Sequence, residues 1–154
     1  MPESKVTKGP LMSNLTDVTF LIIDDNDISR SMMRHLLNSS KYHVVGEAGK
    51  GQIGLALVEK LQPNIVCLDI VMPDLSGLEV LKRIKAQAPH TEVLMVTGNK
   101  DRDTVMEAIE HGACGYIVKP FNPETLLRTV EKAVAKVRTQ TAAQPAADAP
   151  ASQA

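Results

Sequence analysis

Apolar residues in the central part of the chain fall into two alternating kinds of segment. Five short runs, rich in β-branched residues and nearly continuous in hydrophobic character, occupy 18–23, 42–46, 64–69, 92–97 and 115–118. Such runs are typical of strands that are covered on both faces of a parallel sheet. The segments between them carry apolar residues at helical spacing. Five alternating strand and helix signals predict an α/β fold with a doubly wound parallel sheet.

Capping residues mark the limits of the five predicted helices. The residues that can begin them are Asn26 or Asp27, Gly51, Ser76 with Glu79, Asp101 or Asp103, and Asn122 with Pro123. Pro63, Pro89 and Gly112 follow the second, third and fourth helices and end them. The helical spacing predicts burial of several apolar side chains: Met32, Met33, Leu36, Leu37, Ile53, Leu57, Leu61, Leu78, Leu81, Ile84, Val105, Ala108, Ile109, Leu126, Leu127, Val130, Ala133, Val134 and Val137.

Composition changes at both ends of the chain. Residues 139–154 contain only Ala, Gln, Thr, Pro, Ser and one Asp, which bury too little apolar surface to offset the entropy of ordering. This segment is predicted to be a disordered tail. Residues 1–16 read as a flexible arm, so the folded domain is expected to span 17–138.

Charge and composition narrow the class of protein. The chain has 17 Lys and Arg against 18 Asp and Glu, a formal net charge of −1, and only 3% aromatic residues. We therefore expect no direct binding of nucleic acid, which usually needs a basic surface. The pattern shows neither a membrane-spanning run nor a secretory signal, and Cys67 and Cys114 lack CxxC spacing. These features predict a cytoplasmic protein with reduced thiols and no membrane insertion.

Polar residues follow the predicted strands. Asp24 and Asp25 come after the first strand, Asp69 ends the third, Thr97 ends the fourth and Lys119 follows the fifth. Ligands of doubly wound sheets bind at these carboxyl ends. Each residue alone has an ordinary explanation, since aspartates cap helices and a lysine before proline is usually solvated. Together they predict a site.

The charges of this set imply a cation. If the strand order brings these three carboxylates together, they repel one another, and Lys119 offsets only one of their charges. A divalent ion would neutralise the rest, and oxygen donors without His or Cys select Mg²⁺ above all, or Mn²⁺. A phosphoryl group at Asp69 would then meet the metal, the Lys119 ammonium and the Thr97 hydroxyl.

The set resembles the CheY-like receiver domain of bacterial two-component response regulators over about residues 17–138. The matching elements are Asp24-Asp25, Asp69 within the segment LDIVMPDLSG of 68–77, Thr97-Gly98, Tyr116 and Lys119-Pro120-Phe121. The resemblance implies a flavodoxin-like (βα)5 sheet with strand order 2-1-3-4-5. It also implies that Asp69 is the phosphoacceptor, a carboxylate nucleophile that forms an acyl phosphate. Asp25, Asp69 and the backbone carbonyl of Val71 would ligate Mg²⁺ directly, and Asp24 largely through water.

The resemblance assigns further roles at the other strand ends. Lys119 and Thr97 would contact phosphoryl oxygens, and Tyr116 would be an aromatic switch that moves inward with Thr97. The Lys119–Pro120 peptide bond is expected to be cis. Val71 is apolar where many relatives carry a polar residue, so it cannot orient a water, and we expect slow hydrolysis of the acyl phosphate.

The predicted function is that of a single-domain response regulator, a signalling switch rather than an enzyme beyond its own phosphorylation and dephosphorylation. Its expected partners are a sensor histidine kinase or histidine phosphotransfer protein and a downstream protein target. That target would read the surface of the fourth helix, fifth strand and fifth helix. The alternative is a receiver-like module that binds partners without phosphorylation, and the intact acid, Lys and Thr set argues against it.

Two motifs admit a second interpretation. The segment GKGQIG at 49–54 fits the dinucleotide-binding pattern GxGxxG, with Asp69 further along the chain. It follows the second strand rather than the first, which favours a Gly-rich turn into a helix. Arg30 and Arg34 on the first helix fit either a solvated face or a position that faces the phosphodonor.

Overall fold

The computed structural model describes residues 18–98 and 102–153. Its strands are β1 (Thr19–Ile23), β2 (His43–Ala48), β3 (Ile65–Leu68), β4 (Glu92–Thr97) and β5 (Ala113–Val118). Its helices are α1 (Asp27–Ser39), α2 (Gly51–Leu61), α3 (Gly77–Gln87), α4 (Arg102–Glu110) and α5 (Pro123–Gln153). The predicted arm at 1–16 and Asp101, a candidate cap of α4, lie outside the described residues.

The five strands form one parallel sheet in the order β2-β1-β3-β4-β5. This confirms both the doubly wound α/β fold and the strand order that the resemblance implies. β1 and β3 are direct neighbours, and Ile23 at the end of β1 pairs with Leu68 at the end of β3. The residues that follow these two strands therefore emerge side by side at one edge of the sheet.

The sheet separates two hydrophobic layers. Phe20 and Ile22 of β1 face a core shared with α1 and α5, whereas Leu21 and Ile23 face a core shared with α2, α3 and α4. All four side chains are fully buried, because helices cover both faces of this strand. Each such burial contributes about 1.5 to 3 kcal/mol, which explains why the strands lack polar alternation.

The predicted helix boundaries rest on local hydrogen bonds. The side chains of Asn26, Ser76 and Asn122 each accept a bond from the backbone N–H three residues later, at 2.8, 3.2 and 2.7 Å. These bonds satisfy N–H groups that lack a partner within their own helix. Gly112 follows α4 with a φ of 104°, a left-handed conformation that glycine adopts without steric cost. The predicted caps at Asn26, Ser76 and Asn122 and the predicted end of α4 are confirmed.

Several apolar side chains that the helical spacing predicted to be buried are exposed. Met32 is 45% exposed, Ile53 52%, Leu61 36% and Ile109 41%. A helix that packs on a sheet buries only the stripe that faces it, and these residues lie outside that stripe. On α1 the stripe contains Met33 and Leu37. The prediction of burial was wrong for the four exposed residues.

Helix α5 continues to Gln153, whereas the composition of residues 139–154 predicts a disordered tail. Alanine is the strongest helix former, and extending an existing helix costs far less than starting one. The limits of the folded domain, 17–138, stay a prediction. Within the part of the chain that the structure describes, no helix is both long and apolar enough to cross a membrane.

Candidate functional site

Three carboxylates converge at the carboxyl edge of the sheet. Ligand oxygens of Asp24, Asp25 and Asp69 all lie within 4.8 Å of one another. Asp24 and Asp69 are buried, and Asp25 is exposed. The structure thus brings together the three acids that the sequence singled out after β1 and β3.

The sheet itself positions the site. Asp24, Asp69 and Lys119 each donate a backbone N–H to the last residue of the adjacent strand, at 2.9, 3.0 and 2.9 Å. Each of these residues directly follows the last residue of its own strand, so the hydrogen-bonded ladder extends into the site. The side chains therefore project from a rigid edge rather than from a mobile loop.

Lys119 links the two buried acids. Its Nζ lies 2.8 Å from Asp24 Oδ2 and 3.0 Å from Asp69 Oδ2, and its side chain is 18% exposed. Burial alone would lower the pKa of Lys119, but hydrogen bonds and charges from both aspartates outweigh it and raise that pKa. The ammonium is therefore charged at neutral pH. The Lys119–Pro120 peptide bond is cis, as expected.

The remaining carboxylate oxygens of the buried acids accept backbone hydrogen bonds. Asp24 Oδ1 accepts from the N–H of Asn26 at 2.9 Å, and Asp69 Oδ1 accepts from the N–H of Ile70 at 2.7 Å. Burial is the main cause that raises the pKa of Asp24, against the opposing effect of Lys119. Three carboxylates and one ammonium leave an excess of negative charge. A set of ligand atoms made only of oxygens suits a hard divalent cation.

A glycine allows the loop after β3 to close tightly on the central acid. A Cβ at Gly77 would overlap the backbone carbonyl oxygen of Asp69 and the Cα of Ile70. The N–H of Gly77 donates to the carbonyl of Ile70 at 2.6 Å. Any side chain at Gly77 would therefore force the backbone of Asp69 to move. Val71, whose carbonyl is a candidate metal ligand, is 65% exposed on this loop.

Thr97 and Tyr116 lie on the neighbouring strands. Thr97 ends β4 and is 1% exposed, whereas Tyr116 on β5 is 47% exposed. Tyr116 borders an open cavity of about 570 Å³ between β5 and α4, together with Met106 and Ile109. Met106 is 52% exposed. Tyr116 is thus an exposed ring beside unfilled space, two residues before Val118, the strand partner of Thr97.

Residues 20–131 match the family model described as the response regulator receiver domain. The chain belongs to this family. Receiver domains are signalling switches rather than classical enzymes, and they generally bind Mg²⁺ at an acidic pocket.

Relatives of this receiver domain include proteins of different lengths. It is 38% identical over 113 residues to the chemotaxis protein CheY of Listeria monocytogenes, covering 73% of this chain and 95% of that protein. It is 34% identical over 125 residues to the nitrate/nitrite response regulator protein NarL of Escherichia coli, covering 80% of this chain and 58% of NarL. A crystal structure of a CheY-like receiver domain protein from Methanospirillum hungatei superimposes with a TM-score of 0.75 at 28% identity, covering 79% of this chain and 97% of that one.

The Gly-rich segment of this receiver domain has a packing role. The carboxylate of Asp74 accepts the N–H groups of Gly51 and Gln52, at 2.8 and 2.9 Å, and so occupies the N-terminus of α2. A Cβ at Gly54 would collide with the side chain of Ile23. The position where a dinucleotide pyrophosphate would bind holds a side chain of the protein itself. This favours the interpretation as a Gly-rich turn. Sequence reasoning did not identify the contact of Asp74, because nothing local to Asp74 indicates it.

Proposed function

We propose that the protein is a phosphorylation switch that accepts a phosphoryl group on Asp69 from a phosphohistidine. The P–N bond of the donor breaks, a P–O bond forms to a carboxylate oxygen of Asp69, and the imidazole keeps the electron pair. The observation that carries this proposal is the convergence of Asp24, Asp25 and Asp69 around Lys119. A sensor histidine kinase or a histidine phosphotransfer protein would supply the phosphoryl group.

The acidic cluster fits a divalent cation. Asp25, Asp69 and the backbone carbonyl of Val71 would hold Mg²⁺ or Mn²⁺, with Asp24 acting largely through water. The ion would supply positive charge opposite the phosphoryl oxygens. Support comes from the excess negative charge of the cluster and from its carboxylate oxygens, which lie close enough together to bind one ion.

Two further side chains would bind the phosphoryl group. The Lys119 ammonium already contacts Asp69, so it would pair with a phosphoryl oxygen after transfer. Thr97, buried at the end of the adjacent strand, would donate its hydroxyl to another oxygen. The Lys119 ammonium stands ready before the reaction, which lowers the cost of reorganisation.

The output surface would be the face formed by α4, β5 and α5, here named the output face. Movement of Thr97 toward the phosphoryl group would let the Tyr116 ring turn inward. The exposure of Tyr116 and Met106 beside an open cavity supports this role, because that space permits a ring to move. A downstream protein would read the changed face, and the residues involved all lie within the proposed domain 17–138.

Phosphorylation by a small-molecule donor tests the proposal. Wild type, Asp69→Asn and the control Asp103→Asn are incubated with phosphoramidate and Mg²⁺, and intact mass is measured. Asp103 is an exposed aspartate on α4, so its variant should gain one phosphoryl group as wild type does. Asp69→Asn should gain none. Equal labelling of Asp69→Asn would show that the acceptor lies elsewhere. No labelling of wild type would favour a module that binds partners without phosphorylation.

A further inference from the structure

Arg30 of α1 makes three polar contacts and is largely covered. Its side chain is 21% exposed. Nη1 donates to the backbone carbonyl of Asp24 at 2.7 Å, Nη2 to Asp27 Oδ1 at 2.6 Å and Nε to Glu47 Oε1 at 3.2 Å. Every nitrogen of the guanidinium has a partner, so Arg30 does not belong to a solvated face.

The contact with Asp24 bears directly on the acidic cluster. The carbonyl of Asp24 belongs to the peptide unit that joins Asp24 to Asp25. Because that unit is planar, holding its oxygen also fixes the Cα position of Asp25. Asp24 is already secured by its backbone N–H and by Lys119. Asp25 itself is exposed. Arg30 can therefore orient Asp25 through the peptide unit that Asp25 shares with Asp24.

Glu47 on β2 anchors this arginine. One carboxylate oxygen of Glu47 accepts from Arg30, and the other accepts from Arg34, one turn further along α1. Glu47 pairs in register with Ile22 of β1, so the anchor belongs to the sheet. A planar guanidinium can bridge three separate acceptors in fixed directions, which a lysine ammonium on a flexible stem does poorly.

We propose that Arg30 is a positioning residue that orients the Asp24–Asp25 peptide and thereby sets the affinity of the acidic cluster for a divalent cation. The inference rests on the proposed function, since it concerns the same metal site. Partners behind metal ligands commonly change affinity by about 10- to 100-fold when they are removed.

Loss of the charge and loss of the positioning contact predict opposite changes in Mg²⁺ affinity for the same substitution. Arg30→Gln removes a positive charge near three carboxylates, and electrostatics alone would make Mg²⁺ bind more tightly. Loss of positioning would make Mg²⁺ bind more weakly, because the ligands would have to be ordered on binding. Arg34→Gln is the matched control. Arg34 shares the helix, the charge and the Glu47 partner, but its described hydrogen bonds go to Glu47 and Ser31.

The decisive measurement is Mg²⁺ affinity by calorimetric titration of wild type, Arg30→Gln, Arg30→Lys and Arg34→Gln. We expect about a tenfold weaker affinity in both Arg30 variants and an unchanged or tighter affinity in Arg34→Gln. Arg30→Lys keeps the charge, so it carries the test if Arg30→Gln does not fold. In metal-free protein, amide hydrogen exchange at Asp25 and Asn26 should be faster in the Arg30 variants alone.

Other outcomes would overturn the inference. If Arg30→Gln binds Mg²⁺ as tightly as wild type or more tightly, Arg30 does not position the cluster. The same holds if Arg30→Gln only lowers the thermal midpoint while affinity and exchange are unchanged. A wild-type protein that binds no Mg²⁺ would overturn the proposed metal site and this inference together. If wild type binds Mg²⁺ and the Arg30 variants bind it equally well, only the inference about Arg30 fails.

Discussion

The ammonium of Lys119 lies between two buried carboxylates, and this contact defines the resting state of the site. The one ammonium forms ion pairs with both Asp24 Oδ2 and Asp69 Oδ2. Transfer of a phosphoryl group to Asp69 would replace a carboxylate charge with phosphoryl oxygens further from the sheet. Lys119 would follow that charge, and Thr97 would face a new acceptor. In the proposed switch, single side chains would thus link chemistry at Asp69 to the neighbouring strands.

The proposed coupling can be tested at Thr97. We expect Thr97→Ala to accept beryllofluoride, a phosphoryl mimic, but to lose about 1 kcal/mol or more of coupling to the output face. The reason is that a ligand shifts a two-state element only through contacts that differ between the states. Amide NMR shifts near Tyr116 and along α4 measure the effect.

Thr97→Ser is the matched control, because it keeps the hydroxyl and should keep the shifts. If wild type itself shows changes only around Asp24, Asp69 and Lys119, with α4 silent, then Tyr116 merely packs against the domain.

At the scale of elements, Asp74 joins the loop after β3 to the start of α2. The backbone N–H groups of Gln52 and Gly51 lower the pKa of Asp74, because they bind its charged form. This exposed carboxylate also interacts favourably with the positive end of the helix dipole. The loop that carries Val71 is therefore held at Asp74 as well as at Gly77.

The link predicts a pH-dependent effect on stability. A carboxyl whose pKa is lower in the folded state stabilises the fold above its ordinary value of 3.8 and loses that effect as pH falls. Asp74→Ala should therefore lower the thermal midpoint at neutral pH, and the difference from wild type should narrow at about pH 3. Glu59→Ala, an exposed acid near the other end of α2, is the control. A difference that is equal at both pH values would mean that the charge of Asp74 contributes nothing.

A structural feature could be predicted from the sequence where the interactions that form it lie within a few residues along the chain. The apolar runs identified all five strands, and the caps at Ser76 and Asn122 identified helix starts, because these signals act within a few residues. The exposure of Met32 and Ile53 could not be predicted, since it depends on how each helix rolls on the sheet. The contacts of Asp74 and Arg30 were missed for a similar reason: their partners come from other loops and strands.

At the scale of the whole molecule, the candidate site was predictable because parallel strands bring their carboxyl ends to one edge. Asp24, Asp69 and Lys119 are far apart along the chain and meet only through strand order. Periodicity does not determine that order, and the family resemblance supplied it. The domain limits are a different case. Helix α5 continues beyond its last described buried residue, Val137, so the end of the helix does not mark the end of the domain. The limit at residue 138 stays a prediction.

Truncation tests the proposed domain limit. Residues 139–154 contain no Val, Leu, Ile, Met or aromatic residue. Deleting them should change the thermal midpoint by less than about 2 °C and leave phosphorylation of Asp69 intact. Ending the chain at Lys132 instead removes the buried residues Ala133, Val134 and Val137, which should cost at least about 3 kcal/mol. A midpoint that falls by several degrees in the shorter deletion would place part of residues 139–154 in the fold.

The division of the molecule into two cores has a consequence for how such a chain can change over generations. Ile22 and Ile23 are adjacent in sequence, yet they contribute to different cores on opposite faces of the sheet. Volume lost beside Ile22 can be restored only by residues of α1, α5 or the same face of the strands. The strand backbone is thus a boundary for compensation. Each layer can accumulate its own paired substitutions, while the acids at the strand ends stay in place.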